Sequence, residues 1–193
     1  MTGSNRFEKG FTLIELVVAL GVFSIVMMIA FGAFLGALRA QRVTFAEHSV
    51  SQETRFALEF MSRQLRVASQ DGGGGGSMVC LDASNSTPRV FDVGAGEIQF
   101  LNGREECVRF FFDDGTGTIR YENPAGGTAY DLTSPTGVTV ESLQFTIRGN
   151  TNADDEQPRV MINLTARGLG GEEEEAARLT TQTTVTVRTL DLP

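Results

Sequence analysis

Lys9-Gly10-Phe11-Thr12-Leu13-Ile14-Glu15-Leu16 opens an apolar run whose length decides the fold. From Phe11 to Leu38 there are 28 residues, and Glu15 is the only charged one among them. A helix of that length reaches roughly 42 Å, beyond the ~30 Å hydrocarbon core of a bilayer. A carboxylate in such a helix costs about 2.5–3.5 kcal/mol at mid-membrane and less near the interface. Nothing in the run offers a cation, since the next basic residue is Arg39. The compensating charge has to come from outside the segment, and a positive N-terminus on a neighbouring copy has the right sign. A secretory signal peptide is the plain alternative, but its apolar core is about 7–15 residues long and ends at a small-residue cleavage site.

The string Gly10-Phe11-Thr12-Leu13-Ile14-Glu15, behind a short charged leader, resembles the processing site of the type IV pilin superfamily. The resemblance implies that a prepilin peptidase cuts after Gly10 and that Phe11 becomes the methylated N-terminus. It implies that Glu15 then forms an assembly salt bridge to the Phe11 amine of an adjacent subunit. The fold class it implies is α+β and pilin-like, a long N-terminal helix followed by an antiparallel β-rich head. The implied partners are other minor and major pilin-like subunits, the prepilin peptidase, an inner-membrane assembly platform and membrane lipid. The implied location is a single-pass membrane protein with an extracytoplasmic head, incorporated into a pilus or pseudopilus.

Taken in order, residues 1–10 read as the leader and 11–38 as the transmembrane half of the helix. Gly32 and Gly36 make a small-xxx-small pair within it, a pattern that lets helices approach closely. Residues 39–71 read as an amphipathic stalk. Val43, Ala46, Val50, Ala57, Met61, Leu65 and Ala68 recur at spacings of three, four and seven, with a second row at Phe56, Phe60 and Val67. The stretch Arg55–Arg66 also resembles the stalk of the J-class (type II secretion) and W-class (type IV pilus) minor subunits. Residues 72–77 form a glycine-rich linker that ends the helix, with no Gly-Lys-Ser/Thr to make a phosphate cradle.

Residues 78–193 read as the β-rich head, because the apolar period changes from 3.6 to two. Short apolar pieces run from Met78–Leu81 through Val90–Val93, Ile98–Leu101, Val108–Phe112 and Ile119–Tyr121. Ala129–Leu132, Val138–Val140, Leu143–Arg148, Val160–Ala166 and Leu179–Leu190 follow. Asn102-Gly103 and Asp114-Gly115 are hairpin signals that join three of these into an antiparallel meander. Phe110-Phe111-Phe112 is apolar on both faces, so its strand is either central or part of a subunit contact. The closing Thr180–Arg188 strand again resembles the J/W-class head, and Gly170–Glu175 before it reads as a solvated loop.

Composition narrows the function. The net charge is −8, and removing residues 1–10 leaves 14 basic against 23 acidic side chains. An acidic head repels phosphate backbones, so no nucleic-acid partner is expected. His48 is the only histidine and lies on the stalk, so neither a catalytic triad nor a zinc site can be assembled in the head. The chain is therefore not expected to be an enzyme. No cofactor is expected, although Asn150, Asn152 and Asp154 place oxygen side chains at alternate positions, a weak calcium pattern beside the plainer reading of a polar loop. Cys80 and Cys107 both lie beyond the membrane run. An extracytoplasmic head permits them to form a disulfide, worth ~3.6 kcal/mol in the chain-entropy model. Two separately buried thiols are the alternative. The expected function is a minor pilin-like subunit that helps initiate or cap assembly of a type IV pilus or a type II secretion pseudopilus. The alternative is an adhesin or ligand-binding head on a pilin-type anchor.

Overall fold

The computed structural model describes residues 10–71, 80–81, 89–123, 126–151, 156–168 and 177–188. One α-helix, α1, spans Leu13–Arg66, and the remaining described elements are strands. The chain divides into two compact units, one up to Arg42 and one from Val43 onward. In the first, the most apolar 18-residue window of α1 has a mean hydropathy of 2.6 and none of it is buried, so its length and composition suit a membrane span.

The second unit carries the head. Five strands, β1 (Phe91–Gly94), β2 (Glu97–Leu101), β3 (Cys107–Asp113), β4 (Thr118–Asn123) and β5 (Thr128–Asp131), pair in sequence order as an antiparallel meander. A second antiparallel sheet holds β6 (Val138–Arg148), β7 (Arg159–Gly168) and β8 (Arg178–Thr186). The stalk half of α1 contributes Ala57, Met61, Leu65 and the following Ala68 to one core, each with no exposed surface. Inward residues of both sheets join them, among them Phe100, Phe110, Ile119, Leu143, Ile162 and Leu164. These helix positions are the expected stripe, and Leu58 and Thr54 widen it.

The meander has two more strands than its hairpin signals mark. Both signals make hairpins, but the loops are longer than the dipeptides. Leu101 pairs with Cys107, so Asn102–Glu106 turns the chain, and the positive φ falls on Glu105 (60°) rather than Gly103. Asn102 holds this loop through Oδ1, which accepts from the amides of Arg104 (2.8 Å) and Glu106 (3.0 Å). In the second loop Gly117 takes the left-handed conformation (φ 66°), and its amide donates to Asp113 O at 2.8 Å.

Phe110–Phe112 lies on the middle strand, as the core reading expects. Phe110 is fully buried, whereas Phe111 faces outward between two guanidiniums, with Arg109 Cζ at 4.6 Å and Arg120 Cζ at 5.9 Å from its ring centre. Around that ring Arg109 pairs with Glu97 and Glu122, and Arg120 with Asp113 and Asp131. The outer face of the meander is thus closed by charge rather than by a covering element.

Four local differences from the sequence pattern have physical causes. Helix α1 ends at Arg66, short of residue 71. There the amides of Val67 and Ala68 turn back to Gln64 O and Leu65 O, and Arg66 O accepts from Arg188 N at 2.8 Å. Ser69 N and Asp71 N then bridge to Leu101 O and Arg89 O, drawing the chain into the head. Cys80 and Leu81 do not end a strand; their amides donate to Asp71 Oδ2 at 2.7 and 2.8 Å. The apolar pieces around residues 138–148 are one strand, because a bulge between Val140 and Ser142 lets pairing continue past Glu141, whose carboxylate meets Arg178 at 2.7 Å. β8 stops at Thr186, because Val187 N turns to Pro158 O and Arg188 N caps the helix. The linker at 72–77 and the loop at 170–175 lie outside the described residues.

Cys80 and Cys107 are joined, with Cα atoms 5.1 Å apart, and Gln99 Nε2 donates to Cys80 O at 2.5 Å beside the bridge. Because the bridge holds residue 80 to the first residue of β3, Cys107→Ser should lower head stability by about 2–4 kcal/mol. Thermal unfolding of the purified full-length chain should show that loss, and reduction should remove the difference between wild type and variant.

Candidate functional site: the start of the helix

The segment that carries the chemistry begins before the first helical turn. Gly10 and Phe11 precede α1, and Phe11 is 86% exposed. A Cβ built on Gly10 meets nothing within 4 Å, so this glycine is not required by the chain's own packing.

Thr12 is the N-cap of α1. Its Oγ1 accepts from Glu15 N at 3.3 Å, and its carbonyl accepts from Leu16 N at 3.2 Å. Thr12-Leu13-Ile14-Glu15 therefore has the spacing of a capping box, a signal the sequence reading overlooked. The return half, from the Glu15 carboxylate to the Thr12 amide, is not formed among the described contacts. Glu15 does gain from its position, because a carboxylate in the first turn faces the positive end of the helix dipole.

Three polar side chains occur between Phe11 and Leu38, and two of them are bonded. Thr12 accepts from Glu15 N, while Ser24 Oγ donates to Leu20 O at 2.8 Å, the way a hydroxyl is satisfied in a helix surrounded by apolar groups. The Glu15 carboxylate has no partner among the described residues. Farther along, a Cβ at Gly32 or Gly36 would meet nothing within 4 Å among the described residues.

The other expected site residues lie apart from this segment. Asn150 is bound on both sides of its amide, Oδ1 accepting from Phe91 N and Nδ2 donating to Phe91 O, each at 2.9 Å. It latches the start of β1, a use that leaves its oxygen engaged. Asn152 and Asp154 lie outside the described residues. Among the described residues no group of three or more His, Cys, Asp or Glu side chains is arranged to hold a metal. His48 is exposed on α1.

A family model for the prokaryotic N-terminal methylation motif matches residues 5–31. This motif is the type IV pilin and pseudopilin signature, and it spans Gly10, Phe11 and Glu15. The chain is pilin-like. No curated protein and no solved structure matches it. The pilin motif implies processing by a prepilin peptidase and assembly with other pilin subunits, and pilin-type proteins are generally structural. The apolar first half of α1 fits a membrane-anchored pilin-like protein. The match ends before the stalk and covers none of the head.

The open space around Gly10 makes a clean test. Gly10→Val should leave the fold untouched and block cutting, because the added branch meets the peptidase rather than the chain. Intact-mass analysis of protein from the native host should find a wild-type chain beginning at a methylated Phe11 and a variant that keeps Lys9.

Proposed function

We propose that this chain is a minor pilin-like structural subunit that helps initiate or cap a type IV pilus or a type II secretion pseudopilus. Gly10 and Phe11 flank the cut, the Phe11 amine is methylated, and Glu15 binds the corresponding amine of a neighbouring subunit. The head is extracytoplasmic, and the helix joins a bundle with other major and minor subunits on an inner-membrane assembly platform.

The observation that carries this reading is the Glu15 carboxylate, which has no partner among the described residues in a run whose other polar side chains are satisfied. An unpaired charge in an apolar setting costs several kcal/mol, whereas a paired and hydrogen-bonded one recovers much of that. A methylated amine is a compact cation at the depth of the first turn. Pairing it with Glu15 favours one axial register between neighbouring helices over slipped ones.

The stalk supplies a second support. Phe45, Phe56 and Val67 are 73%, 57% and 44% exposed. At 100° per residue the 11-residue spacing from Phe45 to Phe56 drifts only about 20°, so these two form one ridge on the side of α1 away from the buried stripe, and Val67 follows just beyond the helix end. The head leaves this apolar ridge uncovered, and the helix of a neighbouring pilin-like subunit fits it in shape and polarity.

Glu15→Leu should leave processing and membrane insertion normal and lower co-purification of partner subunits by about tenfold, the factor that corresponds to 1.4 kcal/mol. Glu15→Gln should lose less, because it retains a hydrogen bond. Equal recovery from wild type, Gln and Leu would mean that the carboxylate serves only its own helix terminus. Phe45→Ala should also reduce recovery, with the thermal unfolding of the head unchanged.

A further inference from the structure

Beside the exposed ridge runs a groove of about 510 Å³ between α1 and the link from β5 to β6, lined by Ser49, Gln52, Glu53, Phe56, Asp131 and Leu132–Pro135. Ser49, Gln52 and Phe56 lie on the same helical face as Phe45, so the groove continues the ridge sideways. Its walls differ in character. Phe56 gives an exposed aromatic flank, Leu132 is a buried apolar residue in the lining, and two carboxylates reach in from opposite elements. Glu53 Oε2 accepts from Ser134 N at 3.0 Å and thereby fixes the link against the helix. Asp131 meets Arg120 Nε at 3.0 Å and keeps 46% of its side chain exposed. Among the described residues no lysine or arginine lines the groove.

We propose that this groove is the socket for an arginine or lysine carried by a neighbouring pilin-like subunit. The inference rests on the subunit reading above and names one contact within it. A basic side chain matches the groove at both ends. Its methylene stem lies along Phe56 and Leu132, its charged head lies between Glu53 and Asp131, and the ring face adds a cation–π contribution. The socket also makes the partner's identity depend on charge. Among the described residues Asp131 shares its one cation, Arg120, with Asp113, and Glu53 meets only the neutral Ser134 amide. An acidic or neutral residue at that position therefore leaves the excess negative charge uncompensated. The ridge alone would accept any apolar helix.

The test uses the full-length chain in its native host, with a photo-cross-linking amino acid at Gln52 on the groove or at Gln144 on the outward face of β6. The expected result is an adduct from Gln52 to an identified pilin-like subunit, with a lysine or arginine in the linked peptide. Asp131→Asn and Phe56→Leu should each lower its yield about three- to tenfold, while any Gln144 adduct is unchanged. Thermal unfolding of both variants guards against a damaged head, and Ser49→Ala, also in the groove lining, should have no effect. An adduct with a second copy of this chain, or with a segment lacking basic residues, would overturn the proposal. So would yields that neither substitution changes in a folded head. Absence of the adduct while Glu15-dependent co-purification persists would overturn the socket alone. Loss of both would overturn the subunit reading with it.

Discussion

The hydrogen-bonded helix α1 has to satisfy two environments. Its first half presents apolar side chains all around, and its second half buries one stripe against two sheets. In an apolar surrounding the backbone must be bonded within the segment, and a helix is the only single-segment solution. The head then needs no separate nucleus for its core. Met61 and Leu65 lie fully buried where inward residues of both sheets gather, and Arg66 O receives an amide from the chain's closing segment. Among the described residues the carboxylate of Glu15 is left without a partner, and so is the buried hydroxyl of Thr54 on the same helix.

Much of the head's polar surface is closed by ion pairs and by side-chain bonds to the backbone. The outer face of the meander is held by Arg109 and Arg120, each set between two carboxylates with Phe111 between them. Arginine suits such positions because its planar fork bonds two acceptors at once. The second sheet uses the bulge at Glu141 to aim one carboxylate at Arg167 and Arg178 across three strands. Asp71 and Asn150 bind backbone groups where no strand ladder does so. Each exposed pair contributes about 1 kcal/mol or less, so these networks set register and loop geometry more than total stability.

Much of this was legible in the residues. The membrane-length run, the amphipathic stripe from Val43 to Ala68 and the change to a two-residue period each follow from side-chain spacing, and the structure keeps all three, with Val43 only half-buried. The bridge between Cys80 and Cys107 also formed, although spacing alone left separate thiols open. Long-range events were not legible. The helix stops at Arg66 because a residue more than a hundred positions later caps it, and no local pattern encodes that. The hairpin loops lengthened because the side chain of Asn102 organises five residues, whereas the dipeptide signal concerns two. The cap at Thr12 is legible as well, because its three-residue spacing to Glu15 marks a helix start.

Two roles for Glu15 therefore compete, a first-turn carboxylate favoured by its own helix dipole and an assembly contact with a neighbour's amine. Zero-length carbodiimide coupling on the assembled complex separates them directly. The sequence after Gly10 contains no lysine, so the α-amine of Phe11 is the only amine the processed chain can offer. The account predicts, by mass spectrometry, an amide bond joining the Glu15 side chain to the N-terminal amine of a different subunit. Heads cross-linked to one another, with Glu15 uncoupled or coupled only to the Phe11 amine of its own chain, would contradict it.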